Sequence, residues 1–307
     1  MRKTVTETSH EHAIGLDLEQ PEAILARLAD GQAEAAASVR PAMGTIAATS
    51  VVVARTIRGG GTLAYAAAGS SGLMAMSDAL ELPGTFGIDR KQIAIFFAGG
   101  PPWLDTFRGG PEDDADLGAK AVSESGLGET DCLIAVSASG STPYALGALR
   151  CAAERGVTTI GIANNAGAPL LEDAGIAILL PTPPELIAGS TRMGAGTAQK
   201  IALNLISTLM AIELGHVVDG HMVNLSIENT KLRQRALGMI SDISGCAEEA
   251  AAYCLDRSEG SVKVAILLAV GVSDPATAQR LLDTHNGNVR SAMAALDQGQ
   301  GPEKQRA

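Results

Sequence analysis

Two glutamates and a set of hydroxyl-rich turns are the residues of this sequence best suited to chemistry. Glu81 lies in "DALELPGTFG", between Leu80 and Leu82, and Glu112 lies in "RGGPEDDADLG". Two carboxyl groups divide acid and base work when their surroundings keep one protonated and the other ionised at the same pH. Each glutamate also has a plain structural explanation. Glu112 follows Pro111 and precedes Asp113 and Asp114, a pattern that suits a helix start, where carboxylates meet the positive end of the dipole. Glu81 reads as a partly exposed acid just after a helix. Their spacing alone does not bring them into one site.

The hydroxyls come in two similar stretches. In "AAAGSSG", Ser70 and Ser71 follow a glycine turn; in "SASGSTP", Ser137, Ser139, Ser141 and Thr142 precede Pro143. Hydroxyls and free N–H groups at a helix start hold anions, although a lone serine there is ordinarily an N-cap. Two such turns at the carboxyl ends of two parallel strands favour a phosphate site, because open α/β sheets bind ligands at that edge. A dinucleotide site fits poorly, since Gly59-Gly60-Gly61 precedes its strand and no phosphate-loop lysine follows.

A third block, "PPELIAGSTRMGAGTAQK", sets Glu185 ahead of the turn containing Ser190 and places Gly194 and Gly196 where a helix start can approach another backbone. Downstream, Asn229, Lys231 and Arg235 fall in one short segment, the two cations four apart and on one face if it is helical. The alternative for both cations is a solvated surface.

The elements that must position these residues are legible from periodicity. Residues 1–17 are polar and are expected to form an arm that orders on a ligand or partner. Two helices are expected between Pro21 and Arg58, the second starting near Pro41. The runs TLAYAAAG, QIAIFFAG, CLIAVSAS, TTIGIANN and IAILLP predict five strands buried on both faces. Helical stretches near 71–80, 114–124 and 143–155 lie between them, giving an α/β fold with a doubly wound five-stranded parallel sheet. Helices over 193–214 and from His221 into Met239 follow, then three short helices between Lys263 and Leu296 as a small C-terminal bundle. The closing QGQGPEKQRA is expected to be disordered. The domain division expected is 1–58 for the arm and first helices, 59–242 for the sheet domain and 243–307 for the bundle and tail.

Composition narrows the function. The 307 residues are 46% hydrophobic, ample for a packed core, and the net charge is −11. An acidic chain is a poor binder of nucleic acid or anionic membrane, and with 3% aromatics it has few stacking platforms. Cys132, Cys151, Cys246 and Cys254 lack metal-ligand spacing, so free thiols and no metal or other cofactor are expected. With neither a secretory leader nor an apolar run of about 18 residues, the expected location is the cytoplasm.

Taken in order, "DALELPGTFG", "SGSTPY" and "GSTRMGAGTAQK" resemble the signatures of the N-acetylmuramic acid 6-phosphate etherases, a family built on the sugar isomerase (SIS) domain and related to the glucokinase regulatory proteins. The resemblance covers about residues 40–240, with further similarity in the helical tail. It implies a carbon–oxygen lyase of amino-sugar metabolism and peptidoglycan recycling that releases D-lactate from N-acetylmuramic acid 6-phosphate. By motif position it makes Glu81 the acid and Glu112 the base. The acid would then need a less polar setting, for which Leu80, Leu82 and Phe86 are at hand. The resemblance further implies that Ser70, Ser71, Ser137, Ser139, Ser141 and Thr142 hold the phosphate. Glu185, Ser190, Asn229, Lys231 and Arg235 would also contact the phosphosugar substrate, in a homodimer with composite active sites.

The sequence departs from the family pattern at several positions. Leu73 and Ser141 stand where arginine is usual, Gly194 where lysine is usual and Gly109 where an acid is common, while "SHEHAIG" replaces an Asn-Pro motif. These changes bear on the natural substrate and leave both glutamates in place. A non-catalytic phosphosugar sensor and an aldose–ketose isomerase are the competing functions; retention of both glutamates favours the lyase.

Overall fold

In the computed structural model the described residues are 5–100, 110–227 and 229–297. Gly109, the first four residues of the arm and the closing QGQGPEKQRA lie outside them. The described residues fall into two compact units, one drawn from 5–80, 90–100 and 110–209 and the other from 81–89, 210–227 and 229–297.

The first unit holds the sheet. Strands β1 (Leu63–Ala67), β2 (Ile93–Phe97), β3 (Cys132–Ser137), β4 (Thr158–Ala163) and β5 (Ile176–Leu179) are the five apolar runs, and all their pairings are parallel. Their spatial order is β2-β1-β3-β4-β5, so the winding direction reverses between β1 and β3. Alternate residues of the central strands face opposite layers. Ala64, Ala66, Leu133 and Ala135 pack with Val122, Leu146, Leu149 and Leu170 of helices α4 (Ala115–Ser123), α5 (Pro143–Glu154) and the short α6 (Pro169–Glu172).

On the other face, α3 (Gly69–Phe86) and α7 (Gly194–Glu213) are tied to the sheet by a buried polar knot. Asp78 accepts from Tyr65 Oη at 2.8 Å, Asn204 Nδ2 at 2.7 Å and Ser207 Oγ at 2.8 Å. Burial foremost, then the Asp78 charge, raises the Tyr65 pKa well above the ordinary phenol value, so the phenol stays a donor.

Helices α1 (Pro21–Ala37) and α2 (Met43–Arg58) precede the sheet, with Arg40–Ala42 a single 3-10 turn rather than the start of the second helix. The stretch Pro21–Arg58 is long and apolar enough by composition to cross a bilayer, contrary to expectation. It breaks between the two helices, and α2 spends Ile46, Val53, Ala54 and Ile57 on the core. The arm is also more ordered than expected. Thr6 and Leu16 are buried, and short 3-10 turns fill the distance between them.

The second unit contains a hairpin, β6 (Val217–Val218) with β7 (His221–Met222), and helices α8 (Thr230–Ser244), α9 (Glu248–Arg257), α10 (Val262–Ala269), α11 (Pro275–Thr284) and α12 (Val289–Asp297). The helix expected from His221 therefore begins only at Thr230, where Asn229 caps it, because His221 and Met222 are spent on strand pairing. Helix α9 was not expected. Helix α10 is apolar all round except at Lys263 and packs against α8, α9, α11 and α12, the arrangement such a helix requires.

The α9–α10 and α11–α12 turns repeat one design. Glu259-Gly260 and Asn286-Gly287 are left-handed, Ser261 and Asn288 cap the next helix, and Val262 and Val289 are buried. Lys263 of the first turn donates from Nζ to the Gly287 carbonyl of the second at 2.9 Å, while its counterpart Arg290 pairs with Asp219.

Burial lowers the Lys263 pKa from 10.5 to about 8. Between those values the folded chain has released a proton that the unfolded chain still holds, so this group makes stability rise with pH across that window. Cys132 acts oppositely, since burial pushes its thiol from 9.0 to about 12 and the folded chain then keeps a proton the unfolded chain loses. Comparison with Lys263→Met isolates the lysine. From pH 8 to 10.5, urea unfolding should show wild type gaining on the variant by up to about 3 kcal/mol. Parallel curves would refute the assignment.

Candidate functional site

Both hydroxyl turns open at the carboxyl edge of the sheet, on β1 and β3, the two strands between which the order reverses. Each depends on a left-handed glycine, Gly69 with φ +55° and Gly140 with φ +69°. Ser70 is half-buried and Ser71 buried in the first turn of α3. That turn lies so close to β2 that a Cβ on Gly72 would overlap the Phe97 ring.

The β3 turn is already a hydrogen-bonded network. Ser137 Oγ lies 2.7 Å from Thr142 Oγ1 and 3.3 Å from Ser139 Oγ, and accepts from Gly140 N at 3.0 Å. Ser141 donates to Ser139 Oγ from its own Oγ at 3.1 Å and from its N–H at 3.2 Å.

Glu112 is half-buried in the 3-10 turn Gly110–Asp113, just before α4. Helices α4 and α5 approach so closely that a Cβ on Gly118 or Gly147 would overlap the facing backbone, and this contact brings the Glu112 turn onto the start of α5. From there Glu112 Oε2 reaches the mouth of the other turn, 3.6 Å from where a Cβ on Gly69 would stand. A carboxylate and two sets of hydroxyl and N–H groups are thus gathered at one reversal of strand order.

Glu185 is buried, and both its oxygens cap α7, accepting from Gly194 N at 3.0 Å and Ala195 N at 2.9 Å. The bare Cα of Gly194 permits this, since a Cβ there would stand 3.2 Å from Glu185 Oε2 and 3.3 Å from Ala35 Cβ. Ser190 is half-buried, with its carbonyl accepting from Met193 N at 3.1 Å.

Glu81, Asn229, Lys231 and Arg235 belong to the second unit. Glu81 lies within α3 and not after it: the helix continues through Pro83 and closes where Gly87 N donates to the Pro83 carbonyl at 2.9 Å. His216 Nδ1 and Asn224 Nδ2 then donate to the Phe86 carbonyl at 2.7 and 3.1 Å. Among the described residues the expected apolar setting of Glu81 is absent. Leu82 and Phe86 are buried in the interior, Leu80 is 55% exposed and Glu81 itself is exposed. Asn229 Oδ1 caps α8 by accepting from Leu232 N at 2.9 Å, and Lys231 and Arg235 are exposed on that helix.

Sequence reasoning missed the Asn164-Asn165 pair at the end of β4. Asn164 meets Gln199 and Thr182, and Asn165 meets Thr6. Two amides directly after a buried strand, in the position the hydroxyl turns occupy on β1 and β3, were the available signal. The four cysteines are free, and among the described residues no cluster of His, Cys, Asp and Glu could hold a metal ion.

Residues 31–164 and 118–214 each match the SIS domain family. The N-acetylmuramic acid 6-phosphate etherase of Streptomyces avermitilis is 40% identical, across 88% of this chain and 88% of its own. That of Deinococcus radiodurans is 40% identical, across 90% and 91%, and that of Bacillus subtilis 33%, across 95% and 96%. A solved Bacteroides fragilis structure assigned to the phosphosugar isomerases superimposes with a TM-score of 0.51 at 19% identity, over 66% of this chain and 95% of that one, a likeness of fold.

The Glu185 cap has a measurable weight. Glu185→Ala strands two buried amides at the start of α7 and should cost about 2–4 kcal/mol in urea unfolding. Glu185→Gln, which sets an N–H against one of those amides, should fall between. A loss under about 0.5 kcal/mol for the alanine variant would contradict the capping role.

Proposed function

Because the chain belongs to the N-acetylmuramic acid 6-phosphate etherase family, we infer that it is a carbon–oxygen lyase cleaving the D-lactyl ether of N-acetylmuramic acid 6-phosphate to N-acetylglucosamine 6-phosphate and D-lactate. The observation that carries this reading is Glu112 at the mouth of the Gly69 turn, beside the strand-order reversal on which both hydroxyl turns open. Ser70, Ser71, Ser137, Ser139, Ser141 and Thr142 are assigned to the phosphate, with Glu185, Ser190, Asn229, Lys231 and Arg235 as further substrate contacts.

The proposed chemistry needs two carboxyl groups. Glu112 takes the C2 proton of the open-chain aldehyde, which the neighbouring carbonyl acidifies. Glu81, protonated, delivers its proton to the ether oxygen on C3, so that the C3–O bond breaks and lactate leaves. Water then adds to C3 of the unsaturated aldehyde, giving one proton to the Glu81 carboxylate, while Glu112 returns its proton to C2. Both side chains end as they began.

The exposure of Glu81, Lys231 and Arg235 supports a homodimer in which these groups serve composite sites. The long α7 offers little to a partner, because Ala198, Ala202, Leu203, Ile206 and Met210 are all buried within the chain. Ile14, Leu18 and Leu25, at 93%, 83% and 64% exposure, are better candidates for a partner-facing surface. A cytoplasmic setting is consistent with this function.

Incubation with N-acetylmuramic acid 6-phosphate should release D-lactate. Glu112→Gln should abolish exchange of the C2 hydrogen with solvent, and Glu81→Gln should slow cleavage roughly 10²- to 10⁴-fold while retaining some exchange. Binding without lactate release would favour the sensor instead.

Composite sites predict complementation. Inactive Glu112→Gln and Lys231→Ala chains, dissociated and reassembled together, should recover activity. Heterodimers that form and stay inactive would exclude the shared-site arrangement.

A further inference from the structure

The N-terminal arm is attached to the β3 hydroxyl turn through one side chain. Asn165, buried at the end of β4, donates from Nδ2 to the Ala138 carbonyl at 3.0 Å and to Thr6 Oγ1 at 3.1 Å, with a longer 3.4 Å approach to the Ser139 carbonyl. Its Oδ1 accepts from Thr6 N at 3.4 Å. One amide therefore reads both the backbone and the side chain of Thr6 while gripping the peptide that leads into Ser139.

Thr6 is held from a second side. Its carbonyl accepts from Gly189 N at 3.2 Å, in the turn that carries Ser190. It is 3% exposed although its neighbours Val5 and Glu7 are exposed, and the next buried residue along the chain is Leu16. The stretch between is thus a strap fixed at two points. Burial of a lone threonine in an otherwise exposed arm is accounted for by these polar contacts, since its single methyl buries little apolar surface.

The Ala138 carbonyl also accepts from Asn164 N at 3.1 Å, so the Ala138–Ser139 peptide is fixed from two directions. That peptide leads directly into Ser139, whose Oγ accepts from both the N–H and the Oγ of Ser141. We propose that Thr6 and Asn165 form a latch, with Asn165 a positioning residue that couples closure of the strap over residues 5–16 to occupancy of the hydroxyl turn by a phosphosugar. The coupling is reciprocal: whatever factor a bound phosphate adds to strap closure, a closed strap adds to phosphate affinity. This rests on the phosphosugar assignment of the Ser137–Thr142 turn.

Amide hydrogen exchange of the full chain tests it, with N-acetylglucosamine 6-phosphate, the product of the proposed reaction and without a lactyl ether to cleave, as the ligand. In wild type the ligand should slow exchange across residues 6–16. Thr6→Val should speed that exchange about tenfold without ligand and weaken ligand affinity by a similar factor, with the urea midpoint little changed; Asn165→Asp, which sets a buried carboxylate oxygen against the Ala138 carbonyl, should do the same and also lower the urea midpoint. Thr6→Ser, which keeps the hydroxyl, should restore both, and Thr8→Val, which removes only a local bond to the Val5 carbonyl, should behave as wild type. If calorimetry shows the ligand bound while strap exchange is unaltered, the latch is wrong and the site assignment stands. Failure of the ligand to bind at all overturns both.

Discussion

A parallel sheet must return to the same edge after every strand, so each strand ends where the others end. In this chain the strand order then reverses between β1 and β3, and the connections leaving those two strands diverge to opposite sides. The gap between them cannot be filled by a crossover, and both hydroxyl turns open onto it. Everything else assigned to the first unit's site serves to keep that gap polar, narrow and fixed.

Two devices do the fixing. One is the omission of Cβ atoms where elements must approach: Gly72 against Phe97 sets the height of the first turn of α3, Gly118 and Gly147 draw α4 onto α5, and Gly194 lets Glu185 reach the start of α7. The other is buried polar contact between elements distant in sequence. Asp78 ties α3 to β1 and α7, Glu185 closes the start of α7, and Asn165 ties the arm to the β3 turn. Such groups are costly unless every partner is present, so they specify one arrangement rather than simply adding adhesion.

The groups proposed for the chemistry are divided. The phosphate turns and Glu112 belong to the unit built on the sheet; Glu81, Lys231 and Arg235 belong to the unit built around α10. In a chain of net charge −11, the two cations stand exposed on a helix of the second unit, while Asp78 and Glu185 of the first unit are buried carboxylates. An acid that faces water in the free chain gains its less polar setting only when something covers it, and this is the physical reason for assigning it to an assembled site.

The sequence by itself determined the five strands, the turns at their ends and the helical character of the Lys231–Arg235 segment. Apolar runs and breakers act within a window of a few residues, and the chain obeys them locally. Local pattern failed at two places: α3, expected to end near residue 80, runs on through Pro83, and His221, expected in a helix, joins a strand. The tertiary structure alone decided which polar atoms meet. The N–H groups that Glu185 caps are not evident until the start of α7 is seen against it, the leucines beside Glu81 cover it or leave it exposed according to directions the pattern does not carry, and Thr6 shows no partner until Asn165 arrives from 159 positions away. A hydrogen bond is a relation between two directed groups, and a chain pattern carries the direction of neither until the fold has turned both toward the same point.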